Sequence, residues 1–415
     1  MVKNPSIFVV FLACLGIGLE SPAWALPNEG QVAGGRAAIS RPTAQQLHVV
    51  QSTDKAIINW KNFNIAADEL VKFVQPNAGS IAMNRVVGGD PSVIMGHLLA
   101  NGRVFLVNPN GILFGSSAVV NTAGLLATTF NITDSDFLAG KFHFAQDPAK
   151  ALSYVINKGQ IRVSDNGFVL LVAPGVSNEG VIVANLGTVA LGSGEKLLVD
   201  FMGDGLITYA IDGKVLQQVN GPDGTPLSSS VSNSGTIQAD GGHVLLNAKA
   251  ASEMFASVIN QSGIIEARSL VNRGGVIRLE GSDPVANTGS VGWQANLGKI
   301  QKAEGKVLHT GTLDVSVAEA GAAQGEVTIT GEMVGGRRDH CSSRRRCRAG
   351  RAGVDRIQRE DGRDPRQHDR LVRIRSLGRR HCRGLVGQGY GVPRIDPGQS
   401  RGACRRRRPH RGVRP

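Results

Sequence analysis

Apolar and polar residues alternate with a period of two in short runs along most of this chain, and Gly and Asn cut the runs. The alternation is strongest between residues 47 and 75, through Leu47-His48-Val49-Val50-Gln51, Lys55-Ala56-Ile57-Ile58-Asn59-Trp60-Lys61-Asn62-Phe63-Asn64-Ile65 and Glu69-Leu70-Val71-Lys72-Phe73-Val74-Gln75. It continues through Ile81-Ala82-Met83-Asn84-Arg85-Val86 and Val104-Phe105-Leu106-Val107. Runs of four to six residues rich in β-branched side chains predict short strands, and helical periodicity is hard to find.

A repeat runs through the strands. A small or apolar residue and Asn are followed by Gly and then by alternating apolar positions, at Asn121, Asn157, Asn178, Asn233, Asn260 and Asn287. The steps between these are 36, 21, 55, 27 and 27 residues, and the 55 is close to two steps of 27. A second element lies between them, at Asn166-Gly167-Phe168, Gly241-Gly242-His243, Gly274-Gly275-Val276 and Gly325-Glu326-Val327. Steps of 20 to 30 residues with two or more strands each fit one coil of a parallel β-solenoid, whose coils stack at about 4.8 Å. In this reading the Asn-Gly pairs supply positive φ at the corners. The recurrent Asn either forms a hydrogen-bonded ladder along the axis or only fills a turn.

Composition divides the chain. Counted from Arg337, the last 79 residues hold 25 Arg, no Lys and seven acids, a net of +18. The whole chain carries +13, which leaves −5 for residues 1–336. Residues 26–336 contain no Cys, since Cys14 precedes them and Cys341, Cys347, Cys382 and Cys404 lie in the tail. Packing and backbone pairing must therefore stabilise this part without disulfides. At the amino end Lys3, the apolar stretch Ile7–Leu19 and Ala23-Trp24-Ala25 form a secretory leader, with cleavage expected after Ala25.

Catalytic motifs are missing from the sequence: there is no His-Glu-x-x-His, Gly-x-Ser-x-Gly or Walker A loop, and no Cys/His set at zinc spacing. A β-helical polysaccharide lyase or hydrolase is the alternative, with Asp200, Asp204, Asp212, Asp240, Glu266, Glu280 and Asp283 as available carboxylates. A basic nucleic-acid-binding protein is a third reading, carried by Arg344–Arg346 and Arg405–Arg408.

The turn Asn108-Pro109-Asn110-Gly111 leads into Ile112-Leu113-Phe114, with Pro109 presetting φ and Asn110-Gly111 completing the reversal. With Ile57-Ile58-Asn59-Trp60-Lys61-Asn62-Phe63-Asn64-Ile65, Phe73-Val74-Gln75-Pro76, Met83-Asn84-Arg85-Val86 and Thr122-Ala123-Gly124-Leu125, in this order, the segment from about Leu26 to Phe144 resembles the amino-terminal secretion domain of the filamentous haemagglutinin family. These are exported partners of two-partner secretion systems in Gram-negative bacteria. Where some members have an upstream Asn-Pro-Asn-Leu motif, this chain has Gln75-Pro76-Asn77-Ala78, so it resembles the adhesin-type branch.

The resemblance implies an all-β fold, a right-handed parallel β-helix with an amino-terminal cap. It implies residues 1–25 as signal peptide, 26–150 as secretion domain and 151–336 as β-helix repeats. The implied partners are the Sec machinery and signal peptidase, an outer-membrane transporter with POTRA domains and a β-barrel, and host-cell glycans or receptors. Nucleic acid, a cofactor, a metal and enzymatic activity are not implied. Asn108, Pro109, Asn110, Gly111 and Ile112 would form the secretion motif, as transporter contacts or as holders of the fold that makes them, with Asn59, Trp60, Phe63, Asn64, Asn84 and Arg85 in support.

After Gly336 the alternation stops. A basic tail with no Lys is what a shifted reading frame in a GC-rich gene would produce. The expectation is that residues 337–415 are frameshifted and disordered, and that the exoprotein is truncated there.

Overall fold

The computed structural model describes residues 26–200, 208–251, 253–270, 274–281, 306–317 and 325–331, with short strands at 333–335, 340–342, 346–348 and 370–375. The leader and most of the Arg-rich tail lie outside the described residues.

Three sheets run along the described chain, which visits them in the order A, B, C before stepping up one coil. Sheet A stacks Lys55–Trp60, Ile81–Val86, Arg103–Val107, Gly124–Thr128, Phe168–Val172, Thr188–Ser193, His243–Ala248, Val276–Glu280 and Glu326–Gly331. Sheet B stacks Ser92–Ile94, Ile112–Phe114, Tyr154–Asn157, Gly175–Asn178, Ser229–Asn233, Ser257–Gln261, Lys306–His309 and Met333–Gly335. Sheet C runs from Gln46–Gln51 to Thr312–Asp314. The pairings between successive coils are parallel, so the all-β parallel β-helix expected from the repeat is the fold. Alternation sends every second side chain inward, and columns such as Ile58, Asn84, Leu106, Ala127, Leu171, Leu191, Leu246 and Leu279 run along the core.

The amino end is capped by antiparallel strands, Gln31–Gly34 on Lys55–Trp60 and Ala37–Thr43 on Gln46–Gln51. The outer cap strand carries Arg41 and Pro42 at a register shift, a combination that blunts an edge against further pairing. No break in stacking occurs near residue 150, because Val119–Thr122 pairs with Gln160–Val163 across it.

Corner chemistry differs from the positive-φ expectation. At the B-to-C corner Gly159, Gly180, Gly235, Gly263 and Gly311 form a column, and a Cβ on each of the last four would strike the carbonyl oxygen of the glycine one coil below. That oxygen accepts the next strand's first N–H, as Val181 N to Gly159 O at 2.9 Å and Thr236 N to Gly180 O at 2.9 Å show. Close approach of stacked backbones, not left-handed φ, demands glycine here. Positive φ occurs one corner later, at Asn166 (59°), Leu186 (56°) and Gly241 (67°).

The amide ladder is present. Asn157 Nδ2 donates to Asn178 Oδ1 at 2.8 Å, Asn178 to Asn233 at 2.7 Å, and Asn233 to Gln261 Oε1 at 2.7 Å. Two repeat assignments change. Gln261, not Asn260, fills the fourth rung, because Asn233 pairs in register with Gln261. Asn121 sits on sheet C opposite Arg162, and Phe114 occupies the place below Asn157. Asn287 lies outside the described residues, and His309 takes the position above Gln261. The 55-residue step is one coil with an insertion, since Asn178 pairs directly with Asn233.

That insertion and an earlier one build a second layer that alternation does not reveal. A short helix, Asp134–Leu138, is capped by Thr133, whose side chain accepts from Asp136 N. Phe142–Ala145, Lys196–Asp200 and Thr208–Asp212 form an antiparallel sheet over the outer face of sheet A. Between the layers Ile57, Met83, Phe105, Leu126, Leu170 and Ala190 pack against Phe137, Phe142, Phe144, Leu197, Val199 and Ile211. Strands of sheet A such as Phe168–Val172 are buried on both faces, so they are continuous apolar runs.

Of the tail, residues 370–375 run antiparallel to Glu326–Gly331. The carboxy-terminal unit 379–415 lies outside the described residues.

Candidate secretion site

The candidate residues sit where sheet A turns into sheet B, at three corners stacked in successive coils: 61–65, 87–91 and 108–111. Asn108 is fully buried. Its Nδ2 donates to Asp90 O and Ser92 Oγ, both at 3.0 Å, and its Oδ1 accepts from Asn110 N at 2.9 Å and Asn110 Nδ2 at 3.1 Å. Asn110 Nδ2 also donates to Gly88 O at 2.9 Å. Both amides thus hold their own corner to the one below. The backbone continues upward, with Asn108 N donating to Thr128 O at 3.0 Å.

Gly111 has φ of 117°, and a Cβ there would meet Ser153 Oγ at 2.7 Å and the Tyr154 ring at 3.1 Å. Conformation and space both exclude a side chain. Pro109 is half-buried, and Ile112 points into the core.

Asn64, in the lowest of the three corners, ties that corner to the coil above it. Its Oδ1 accepts Val93 N at 2.8 Å where sheet B has no earlier strand to do so, and Ile65 N donates to Val93 O at 3.0 Å. Side-chain and loop groups thereby satisfy what would be a bare sheet edge.

The supporting residues divide by face. Trp60, Phe63 and Asn84 point inward: Trp60 Nε1 donates to Asn84 Oδ1 at 3.0 Å, Asn84 Nδ2 to Ala82 O at 3.2 Å, and Trp60 meets Phe63 edge-on at 5.7 Å. A buried amide in an apolar column is tolerated because its partners are buried with it. Gly30 of the cap lies against the indole, which leaves no room for a Cβ. Asn59 and Arg85 point outward. Arg85 donates to Asp134 Oδ1 and Ile132 O, both at 2.6 Å, and reaches Asn59 Oδ1 at 3.4 Å, fixing the segment that enters the outer helix.

Sequence reasoning missed Gly88, Asp90 and Ser92, which receive the Asn108 and Asn110 amides. It also missed Ile132 and Asp134, which hold Arg85. Nothing in the sequence marks these partners, because they lie 16 to 49 residues from the side chains that meet them.

The carboxylates available for the enzyme reading are dispersed. Asp240 is gripped by Arg268 through Nε at 2.9 Å and through Nη2, with Glu266 3.9 Å from the same guanidinium. Burial pushes the Asp240 carboxyl up, but Arg268 and Gln238 more than offset this and hold it below the ordinary range. Asp212 pairs with Lys249 at 3.5 Å, and Glu280 accepts from Asn247 at 3.1 Å while burial pushes its carboxyl up. Asp204 and Asp283 lie outside the described residues. Among the described residues no group of His, Cys, Asp and Glu has metal-binding geometry.

A capped parallel β-helix with amide-pinned corners near its amino end is the class of protein these features define. Residues 24–301 match the model of the TPS secretion domain, and the chain belongs to that family. Two heme/hemopexin-binding proteins of Haemophilus influenzae are similar to it. One, from strain Rd, is 34% identical over 297 residues, and the other is 30% identical over 308. The matches cover 70% and 69% of this chain and 31% of each relative, so the chain spans about a third of their length. Two solved structures are also similar. The HMW1 secretion domain from Haemophilus influenzae has a TM-score of 0.47 and 23% identity, covering 74% of this chain and 99% of that one. A filamentous hemagglutinin secretion domain has a TM-score of 0.30 and 14% identity, covering 76% and 97%.

Proposed function

We propose that this chain is the exported partner of a two-partner secretion system, and that its amino-terminal domain is bound in the periplasm by the POTRA domains of an outer-membrane β-barrel. The family match over residues 24–301 carries this reading. Sec export with cleavage after Ala25 precedes the transporter, and the product is released to the cell surface or the medium. No ATP is available at that stage. Each coil that forms outside buries apolar surface and opposes backsliding, so folding can bias transit.

Within this reading Asn108–Ile112 act by holding the corner stack. Support comes from the burial of Asn108 and from its four hydrogen bonds, which leave its amide nothing to offer a partner. The test is co-expression with the cognate transporter in a Gram-negative host. Asn108→Ala is expected to lower both secreted yield and the melting temperature of the refolded chain, by about 2–4 kcal/mol of stability, since buried partners lose their hydrogen bonds. Loss of secretion with an unchanged melting temperature would assign the residue to transporter contact instead, and normal secretion would remove it from the export signal.

The chain is proposed to have no enzymatic activity, in keeping with carboxylates that are held in ion pairs and hydrogen bonds. Adhesion to host glycans or receptors is proposed for the exported product, whereas heme and hemopexin binding is what the relatives are named for, and this chain spans about a third of their length.

A further inference from the structure

The outer face of sheet A lies under the antiparallel layer, whereas the outer face of sheet C meets solvent. Lys72, Asn121, Gln160 and Arg162 are exposed there, and Val181 and Ile264 are 40% and 42% exposed. A shallow groove of about 80 Å³, lined by Val119, Asn121, Gln160, Arg162, Val181 and Val183, crosses the middle of the face. Most coils place two outward side chains on this sheet, and the parallel register stacks them in two columns.

Both columns are symmetric about the fifth coil, whose strand is Gln160–Val163. One column carries Leu70 in the second coil, Val119 in the fourth, Val181 in the sixth and Ile264 in the eighth. Its apolar positions therefore recur at equal distances above and below the middle. The other column carries His48 and Lys72 in the first two coils, Arg162 in the fifth, and Glu266 and Asp314 in the eighth and ninth. Here the symmetry is one of opposite charge. The acidic end keeps its sign, because Arg268 pairs with Asp240, lies 3.9 Å from Glu266 and is also acted on by Asp314, so three carboxylates share one guanidinium.

We propose that the outer face of sheet C joins two copies of the folded chain in an antiparallel dimer. Its two-fold axis lies in the interface, along the strands of the fifth coil. Such an axis sets each column against itself with the coil order reversed, and an isologous contact must be self-complementary under it. Leu70 then faces Ile264 of the second copy, Val119 faces Val181, Lys72 faces Glu266 and His48 faces Asp314. Gln160 and Arg162 meet their own images, and for Arg162 this is a contact between like charges. Nine parallel strands at about 4.8 Å make the face about 40 Å long. Two side chains wide, it buries about 1,000 Å² over both copies, the lower limit for a specific interface. The dimer is therefore weak, with a Kd of about 10–100 μM. The inference goes beyond the secretion reading and does not depend on the transporter.

Sedimentation velocity of the purified mature chain, Arg-rich tail included and kept reduced so that its cysteines cannot cross-link, tests the proposal. Lys72→Glu and Glu266→Lys each set like charges against each other across the interface, and each should raise Kd by about tenfold or more. The two changes together restore opposite pairing and should return Kd to within about threefold of the parent. Arg162→Gln removes the like-charge contact at the axis and should lower Kd. Lys72 and Arg162 are exposed, so their replacement leaves the fold intact. A chain that is still monomeric at about 300 μM would overturn the proposal. A dimer that the charge variants leave unchanged would place the association elsewhere, such as the end coil, and would overturn it too. So would a double variant as weak as the single ones, or an Arg162→Gln chain that associates no more tightly than the parent.

Discussion

Single residues at the corners divide into those that need space and those that need a partner. Gly235 belongs to the first kind: its Cβ would strike Gly180 O, so Gly235→Ala must separate two coils, and loss of the cooperative melt or a large fall in midpoint is expected. Leu186 is the reverse case, a branched side chain held at φ of 56°. Asn tolerates that region, and Leu186→Asn is expected to stabilise by about 1 kcal/mol in denaturant unfolding. Glu280 gives a pH signature. Burial raises its carboxyl in the fold, so its ionised form opposes folding above that raised value and the penalty disappears as pH falls through it. Glu280→Gln should therefore stabilise the chain at neutral pH, with a gain that shrinks on acidification. A gain that is constant with pH would contradict this. The repeating Asn and Gly positions were legible in the sequence, but their separate tasks were not. A glycine needed for φ and one needed for close approach are the same letter, and only the neighbouring coil distinguishes them.

Among elements, the stacked strands follow from alternation, and the outer layer follows from what alternation cannot express. Strands such as Gly124–Thr128 and Phe168–Val172 are buried throughout because both faces are covered. Phe105 stands at the centre of that cover, with Phe137, Phe142, Phe144 and Phe168 at ring-centroid distances of 5.8 to 6.4 Å. Phe105→Ala should cost about 3–5 kcal/mol, measured by urea unfolding, as large-to-small changes in a packed core do. A cost under about 1 kcal/mol would mean that the outer layer is not part of the cooperative unit. The same contacts bear on domain limits. Phe142–Ala145 pairs with Lys196–Asp200, so a fragment ending at residue 150 lacks its partner strand and leaves the Phe cluster partly bare. The family motifs end near Phe144, while the strand pairing of Phe142–Ala145 reaches past residue 150.

For the molecule as a whole, the net +13 describes neither part, since residues 1–336 carry −5 and the Arg-rich tail +18. A chain cut after residue 336 has no strand on the far side of Glu326–Gly331 and is expected to self-associate, because an exposed end coil presents unpaired backbone groups. A monodisperse, protease-resistant monomer in light scattering would contradict this. Reading the downstream DNA in its other frames tests the frameshift, which predicts that a Gly-rich repeat resumes. The sequence by itself determined the strand period, the coil repeat, the absence of disulfides before the tail and the family, all of which are properties of residues near one another in the chain. Only the tertiary structure decided which side chains meet between coils. Asn108 reaches Asp90 and Ser92, Arg85 reaches Ile132 and Asp134, and Gln261 displaces Asn260 from the ladder. Those contacts depend on register, and register is set by insertions whose length the local pattern does not encode.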